Sequence, residues 1–254
     1  MKDFSNSGHR ILNLILEVHT KPDLPSQAET WADALGLDVE LAKSDTHEVV
    51  SYLSNLRVEV DLLEEIMISS GYDQSLYHSY IKRVRASISS KNVGAQWKNY
   101  KGQLGVDTIL ALRWCAAVLE PEKETDFAEL ESLLNKLKEF KDGLDKSSIN
   151  RVTYDFIISQ IKIIESAIKS FPINGGRAIK KAFADGHSDL NEKADNLIKE
   201  EDTLYTEKVG GFWKDLKAAG SDFVEADRIV NSYISLINKG NGLAENMTKL
   251  LGQL

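Results

Sequence analysis

The sequence predicts an all-α protein, an irregular multi-helix bundle of about ten to twelve helices joined mostly as antiparallel hairpins. Three observations predict it. Apolar residues recur at intervals of three and four along most of the chain, which is the period of a helix face and not of a strand. The 254 residues include four prolines, none between Pro25 and Pro121, so long helices can run without the lost amide and the clash that proline brings. Gly, Ser, Asn and Asp gather between the periodic stretches, where helix caps and turns need them.

The first helix carries Ile11, Leu12, Ile15 and Leu16 on one side, and Pro22 and Pro25 mark the loop after it. Ser26 and Glu29 form a capping-box pattern, each side chain able to satisfy a free amide at the start of the second helix. That helix carries Trp31 and Leu35 and stops near Gly36. Residues 31–45 invite a helix-turn-helix reading, yet the would-be recognition helix around Asp38, Glu40 and Asp45 sets carboxylates where phosphates would lie. An ordinary helical hairpin fits better. Val49, Leu53, Leu56, Val60, Leu63 and Met67 draw one stripe, widened by Val50, Tyr52, Leu62 and Ile66, so this helix packs on more than one neighbour. Gly71 stops it, and Asp73 can cap a helix carrying Tyr77, Tyr80, Ile81 and Val84. A turn follows near Ser89–Asn92, then Trp97, Tyr100 and Leu104 at helical spacing. The run from Ile109 to Leu119 is the most continuously apolar in the chain and reads as a buried central helix, started by Asp107 or Thr108. Arg113 interrupts it. An unpaired buried charge is costly, so Arg113 either reaches solvent or pairs with an acid such as Asp61 or Asp155.

Pro121 and the charged residues up to Asp126 mark the best boundary in the chain. They separate an N-terminal half, 1–121, from a C-terminal half, 122–254, or mark a weak division within one continuous domain. Phe127, Leu130, Leu134 and Leu137 form a stripe that ends at a turn over Lys141–Asp145. The next helix, Ser148 to Phe171, sets Ile157, Ile161, Ile164, Ile168 and Phe171 on one side. Its β-branched residues lower helix propensity, so packing must supply its stability. Pro172 to Gly176 should end it. Beyond lie Arg177–Gly186, a polar helix from Asp189 to about Lys208, a Gly210–Gly211 break, and a stripe of Phe223, Ala226, Val230, Tyr233 and Ile237. A short terminal helix through Leu250 completes the chain. Phe212, Trp213 and Leu216 alternate with charges of both signs, which suits core packing better than a membrane surface.

A charged fraction of 28% beside 42% hydrophobic residues is ordinary for a globular chain of a length that needs neither disulfides nor metals for its core. The formal net charge is −8, which argues against unspecific adhesion of the whole molecule to nucleic acid or anionic membrane. Cys115 is the sole cysteine; it allows no internal disulfide and reads as a small buried thiol. The apolar stretch Ile11–Leu16 lacks a cleavage site, and no run is long enough to span a bilayer. The expectation is a cytoplasmic protein with no membrane partner.

One asymmetry points to a site. The segment 74–106 holds Lys82, Arg83, Arg85, Lys91, Lys98 and Lys101 and no acid; this +6 within a total of −8 leaves −14 for the other residues. Tyr80, Trp97 and Tyr100 are interleaved with these cations, a composition able to hold phosphates and stack bases. Two other readings stand beside it. The face can be a solvated one whose aromatics point into the core, or it can meet an acidic surface on a partner or on the protein itself. A second anion candidate is Gly175, Gly176, Arg177, Lys180 and Lys181, where free amides at a helix start would join three cations; a helix-to-helix turn also explains the glycine pair.

Most sequence signatures of helical enzymes are absent, which leaves only a site dispersed along the chain for an enzyme. No histidine has a glutamate three residues before it, as carboxylate-bridged di-iron bundles require. There is no His-Glu-x-x-His, no phosphate loop and no Gly-x-Ser-x-Gly elbow. Asp185, His187, Asp189 and Glu192 form the one metal-like cluster, but their spacing fails the calcium-loop pattern. A helix end at Gly186 and a new start at Ser188 or Asp189 explains them better. The expectation is therefore a non-enzymatic helical interaction protein (adaptor, regulator or inhibitor-like module) without cofactor or metal. It would bind a protein partner or itself. The alternative is a nucleic-acid or nucleotide-binding protein using residues 77–101.

Overall fold

A computed structural model describes residues 4–122, 125–146, 149–197, 203–220 and 226–237. Among them it is all helical, with a single isolated bridge between Ser26 and Gln96. The helices are α1 (Ser7–Thr20), α2 (Gln27–Leu35), α3 (Val39–Ala42), α4 (His47–Ser69), α5 (His78–Ser87), α6 (Lys98–Lys101), α7 (Val106–Val118), α8 (Phe127–Asp142), α9 (Arg151–Asn174), α10 (Gly176–Leu197) and α11 (Thr203–Gly220). A further helix, α12, covers residues 226–237. No helix among the described residues is long and apolar enough to cross a membrane. The chain divides into two compact units. The first holds residues 1–122 and 172–175, the second 123–171 and 176–254.

In the first unit the expected caps and stripes set the helices. Ser26 and Glu29 make the reciprocal capping box of α2, and Gly36, at φ 67°, closes it. Val49, Leu53, Leu56, Val60, Leu63 and Met67 of α4 are all buried. The would-be recognition helix α3 is a single turn of four residues. Asn6 joins the start of α1 to the end of α7: its Oδ1 accepts from the His9 amide, and its Nδ2 donates to the Ala116 and Leu119 carbonyls. The chain after α1 is tied down by backbone bonds from Gln27 to Ala95, Ala28 to Val93 and Trp97 to Pro25.

The interior of this unit is organised by Arg10. Its side chain is 1% exposed, and each of its five N–H donors finds an acceptor. Nε donates to the Ile173 carbonyl at 3.1 Å, and one terminal nitrogen donates to Glu59 at 2.7 Å and Glu122 at 2.8 Å. The other reaches Glu122 at 2.7 Å and the Phe4 carbonyl at 3.4 Å. Glu59 has no exposed surface. The turn 172–175 is shaped to this guanidinium. Gly175 sits at φ +56°, and a Cβ there would lie 2.6 Å from the Arg10 Cζ, so backbone and space both require glycine.

The second unit has its own polar centre. Gln160 is fully buried on α9. Its Nε2 donates to Asp189 at 2.7 Å and to the Gly186 carbonyl at 3.3 Å; its Oε1 accepts from Trp213 Nε1 at 2.9 Å and Tyr233 Oη at 3.0 Å. A primary amide has two donors and two acceptor lone pairs, so this one is saturated by groups from α10, α11 and α12. Around it, Ile157, Ile161, Ile164, Ile168 and Phe171 of α9 are buried. A β-branched residue lowers helix propensity by roughly 0.5 kcal/mol, whereas burying an isoleucine gains about 2 kcal/mol. Burial wins, and α9 is a helix.

Three expected boundaries differ. Helix α9 does not end at Phe171 but runs through Pro172 to Asn174; the ring costs an amide bond and crowds the carbonyl one turn back, but its fixed φ is helical and only two residues follow it. The left-handed Gly175 is the actual stop. Gly186 does not end a helix, since α10 is continuous from Gly176 to Leu197. Likewise α11 passes through Gly210 and Gly211. Phe223 and the expected terminal helix through Leu250 lie outside the described residues.

Replacing Arg10 with Met, which keeps the volume but removes the charge, takes the guanidinium from a fully buried carboxylate. We expect a loss of about 3–5 kcal/mol in urea-unfolding free energy. A loss below about 1 kcal/mol would show that Arg10 does not organise this unit.

Candidate functional site

The basic segment folds into elements that separate its cations. On α5, Ile81, Val84 and Ser87 face inward. Arg83 and Arg85 are two residues apart, hence about 200° apart around the helix axis. Arg83 turns to α7 and pairs with Asp107, its guanidinium 5.2 Å from the Tyr80 ring centroid. Arg85 turns to α4 and pairs with Asp61 at 2.6 Å and Glu64 at 2.5 Å. Lys101, from α6, donates to Asp23 at 2.9 Å and to the Lys21 carbonyl at 2.8 Å. Three of the six cations are thus matched by acids of the same unit. Lys82, Lys91 and Lys98 are exposed.

The aromatics divide too. Trp97 is fully buried, donates from Nε1 to the Val18 carbonyl at 3.1 Å, and meets Trp31 edge-on with centroids 6.2 Å apart. It has no face to offer a base, so burial overturns its expected role in binding: its spacing is that of the core. Tyr77 is buried as well, stacked on Trp114. Tyr100 lies on Trp97 and donates to the Asn92 carbonyl. Tyr80 is half-buried under Arg83.

The second anion candidate resolves into separate structural roles. Gly175 makes the left-handed turn against Arg10, whose donors are all taken. Gly176 is the first residue of α10. Lys181 pairs with Asp185 one turn on, which offsets its charge, and Arg177 and Lys180 are exposed along the same helix.

The metal-like cluster falls on one continuous helix. Asp189 accepts from Gln160 and Lys193, and His187 contacts Asn191 and Ser232. Gly186 lies between Asp185 and His187 because a Cβ there would come 2.3 Å from the Trp213 ring. It permits close helix packing and opens no loop. Among the described residues no group of three or more His, Cys, Asp or Glu side chains is placed to hold a metal.

The α4–α5 ion-pair cluster was not read from the sequence. Glu64 accepts from His78 Nδ1 at 2.5 Å and from Arg85, which also holds Asp61; Arg57 reaches Asp61 from the next turn of α4. Burial opposes ionisation of Glu64, but the hydrogen bonds from Arg85 and His78 outweigh it and hold its carboxyl below the usual range. This carboxylate orients an imidazole and is neutralised by a guanidinium, an arrangement that clamps α5 to α4. In the second unit an open groove of about 490 Å³ lies between α8 and α11, lined by Lys136, Phe140, Lys208, Phe212 and Asp215 among others. Its rings sit 5.3 Å apart, Lys208 covers Phe140, and Lys136 pairs with Asp215.

The outward face of α7 departs most from expectation. Thr108, Ala111, Leu112, Cys115 and Ala116 are buried. Val106, Leu110, Arg113 and Ala117, at intervals of four, three and four, form the opposite face and are exposed. Val106 is 82% and Leu110 64% exposed. Arg113 therefore reaches solvent, and Asp61 and Asp155 hold other arginines.

Two outcomes follow from the protonation of these groups. A carboxyl with a depressed folded pKa contributes stability that is present above its unfolded value and lost as pH falls through the folded one. For Glu64 that loss sets in below the ordinary 4.5, and Arg85→Ala should shrink the stability difference between about pH 7 and pH 3 in urea melts. An unchanged difference would remove Glu64 from the acid response. The Cys115 thiol is fully buried and pushed up to about 12 by burial, so a thiol reagent should react with it only in denaturant; rapid labelling of the native chain would contradict its placement. No protein-family model, curated protein or solved structure matches this chain.

Proposed function

We infer that the protein is a non-enzymatic helical interaction protein, an adaptor, regulator or inhibitor-like module that acts through protein–protein contacts, with a partner or with itself. The observation that carries this reading is the outward face of α7, where three of the four exposed residues, Val106, Leu110 and Ala117, are apolar. A single exposed leucine is ordinary. A helical stripe of apolar residues is a surface by which helices recognise other helices. The absence of catalytic spacing in the sequence agrees with it.

The alternative, nucleic acid or a nucleotide along residues 77–101, is supported by Lys82, Lys91 and Lys98, which remain exposed. It loses support from Arg83, Arg85 and Lys101, already paired with acids, and from the buried Trp97. Phosphate binding needs free cations on one surface.

Purifying the tagged chain at native expression, with mass spectrometry of what accompanies it and its 260/280 nm absorbance ratio, separates the two. We expect a stoichiometric protein with a protein-like ratio, or a defined oligomer of the chain itself. A high ratio abolished by nuclease or salt transfers the function to the lysines. A bare monomer rejects both.

A further inference from the structure

Resting on that reading, we propose that the outward face of α7 is the docking surface for a single amphipathic helix whose apolar stripe is flanked by a carboxylate that pairs with Arg113. The first unit contains five arginines. Arg10 holds Glu59 and Glu122, Arg57 holds Asp61, Arg83 holds Asp107, and Arg85 holds Asp61 and Glu64. Arg113 is the exception: among the described residues no carboxylate pairs with it. It stands three residues after Leu110 and four before Ala117, so it is their immediate neighbour on the helix surface. A permanent cation set into an exposed apolar stripe is matched by an acid arriving with an apolar surface.

Size identifies the occupant as one helix. Thirteen residues make α7, a strip of about 20 Å by 10 Å. A stable dimer buries about 800 Å² on each partner, several times that footprint, so a second globular copy would need surface that this face lacks. A helix lying along α7 needs none beyond it. Asp107, the acid on this helix's first turn, is held by Arg83, which lowers its repulsion of an incoming carboxylate. Lys82, an exposed cation on α5, the helix packed beside α7, adds to the preference for an acid.

The test uses the full chain and two fluorescein-labelled helical peptides with the same leucine stripe, flanked in one by glutamates and in the other by lysines. Binding is read by fluorescence anisotropy against wild type, Arg113→Glu and Leu110→Asp. Both positions are exposed, and an unchanged thermal melt confirms that the variants fold. We expect the glutamate peptide to bind wild type about fivefold or more tightly than the lysine peptide. Arg113→Glu should reverse that order, and Leu110→Asp should abolish both. Absent binding, equal binding, or an order indifferent to Arg113→Glu overturns the proposal. So does a concentration-dependent dimer in sedimentation that Leu110→Asp abolishes, which would assign the face to a second copy. A cellular partner that Leu110→Asp still retains would reject α7 as the surface while leaving the interaction function standing.

Discussion

A buried guanidinium has to satisfy five donors at once, and the first unit is arranged around doing so. Arg10 draws together α1, Glu59 of α4, Glu122 beyond α7, and the turn 172–175. These segments are far apart in sequence, and few side chains other than arginine reach so many. Leaving one donor or one carboxylate unmatched in that interior would cost more than the pairing gains, so the geometry is specified closely. The turn must carry glycine at 175, where both the left-handed φ and the proximity of the guanidinium exclude a Cβ. The second unit repeats the constraint with a neutral group. Gln160, with two donors and two acceptors filled, fixes α10, α11 and α12 against α9. Apolar stripes bring helices together in many registers; a saturated polar centre admits few.

The stripes were legible in the sequence because they depend on local periodicity alone. The α4 stripe from Val49 to Met67, the Ser26–Glu29 box and the α9 isoleucines read correctly from spacing. The polar centres were not legible. Arg10 stands in a short polar prelude to an apolar run, with nothing to tell it from a surface residue, and its partners lie 49, 112 and 163 residues away. Glycine misled for a related reason. At Gly186 and Gly210 it marks a close approach by Trp213 or Tyr233, and a residue that serves close packing has the same letter as one that ends a helix.

The candidate site shows the same limit in charge. Six cations and no acid between residues 74 and 106 is a true statement about the chain and a poor one about the surface. The helical rotation between Arg83 and Arg85 points them at different neighbours, each of which presents an acid from outside the segment. A run of like charge in sequence becomes a patch in space only if the residues share a face and the neighbouring elements bring no counter-charge. Here neither condition holds for Arg83, Arg85 and Lys101, and it is Lys82, Lys91 and Lys98 alone that keep the segment's character at the surface.

The apolar helix makes the converse case. A helix apolar on every side is ordinarily enclosed, and α7 was expected to be. Its partners α1 and α5 cover its flanks and its inner side, and Asn6 and Tyr72 satisfy its final carbonyls. Nothing among the described residues covers Val106, Leu110 and Ala117. Packing within the unit does not require apolar residues on that side, because a surface helix is served there as well by lysine or glutamate. Arg113 sharpens the point, since every other arginine of the unit has a carboxylate. Among the described residues, then, α7 pairs a composition suited to enclosure with one exposed face, and the cation on that face meets no carboxylate.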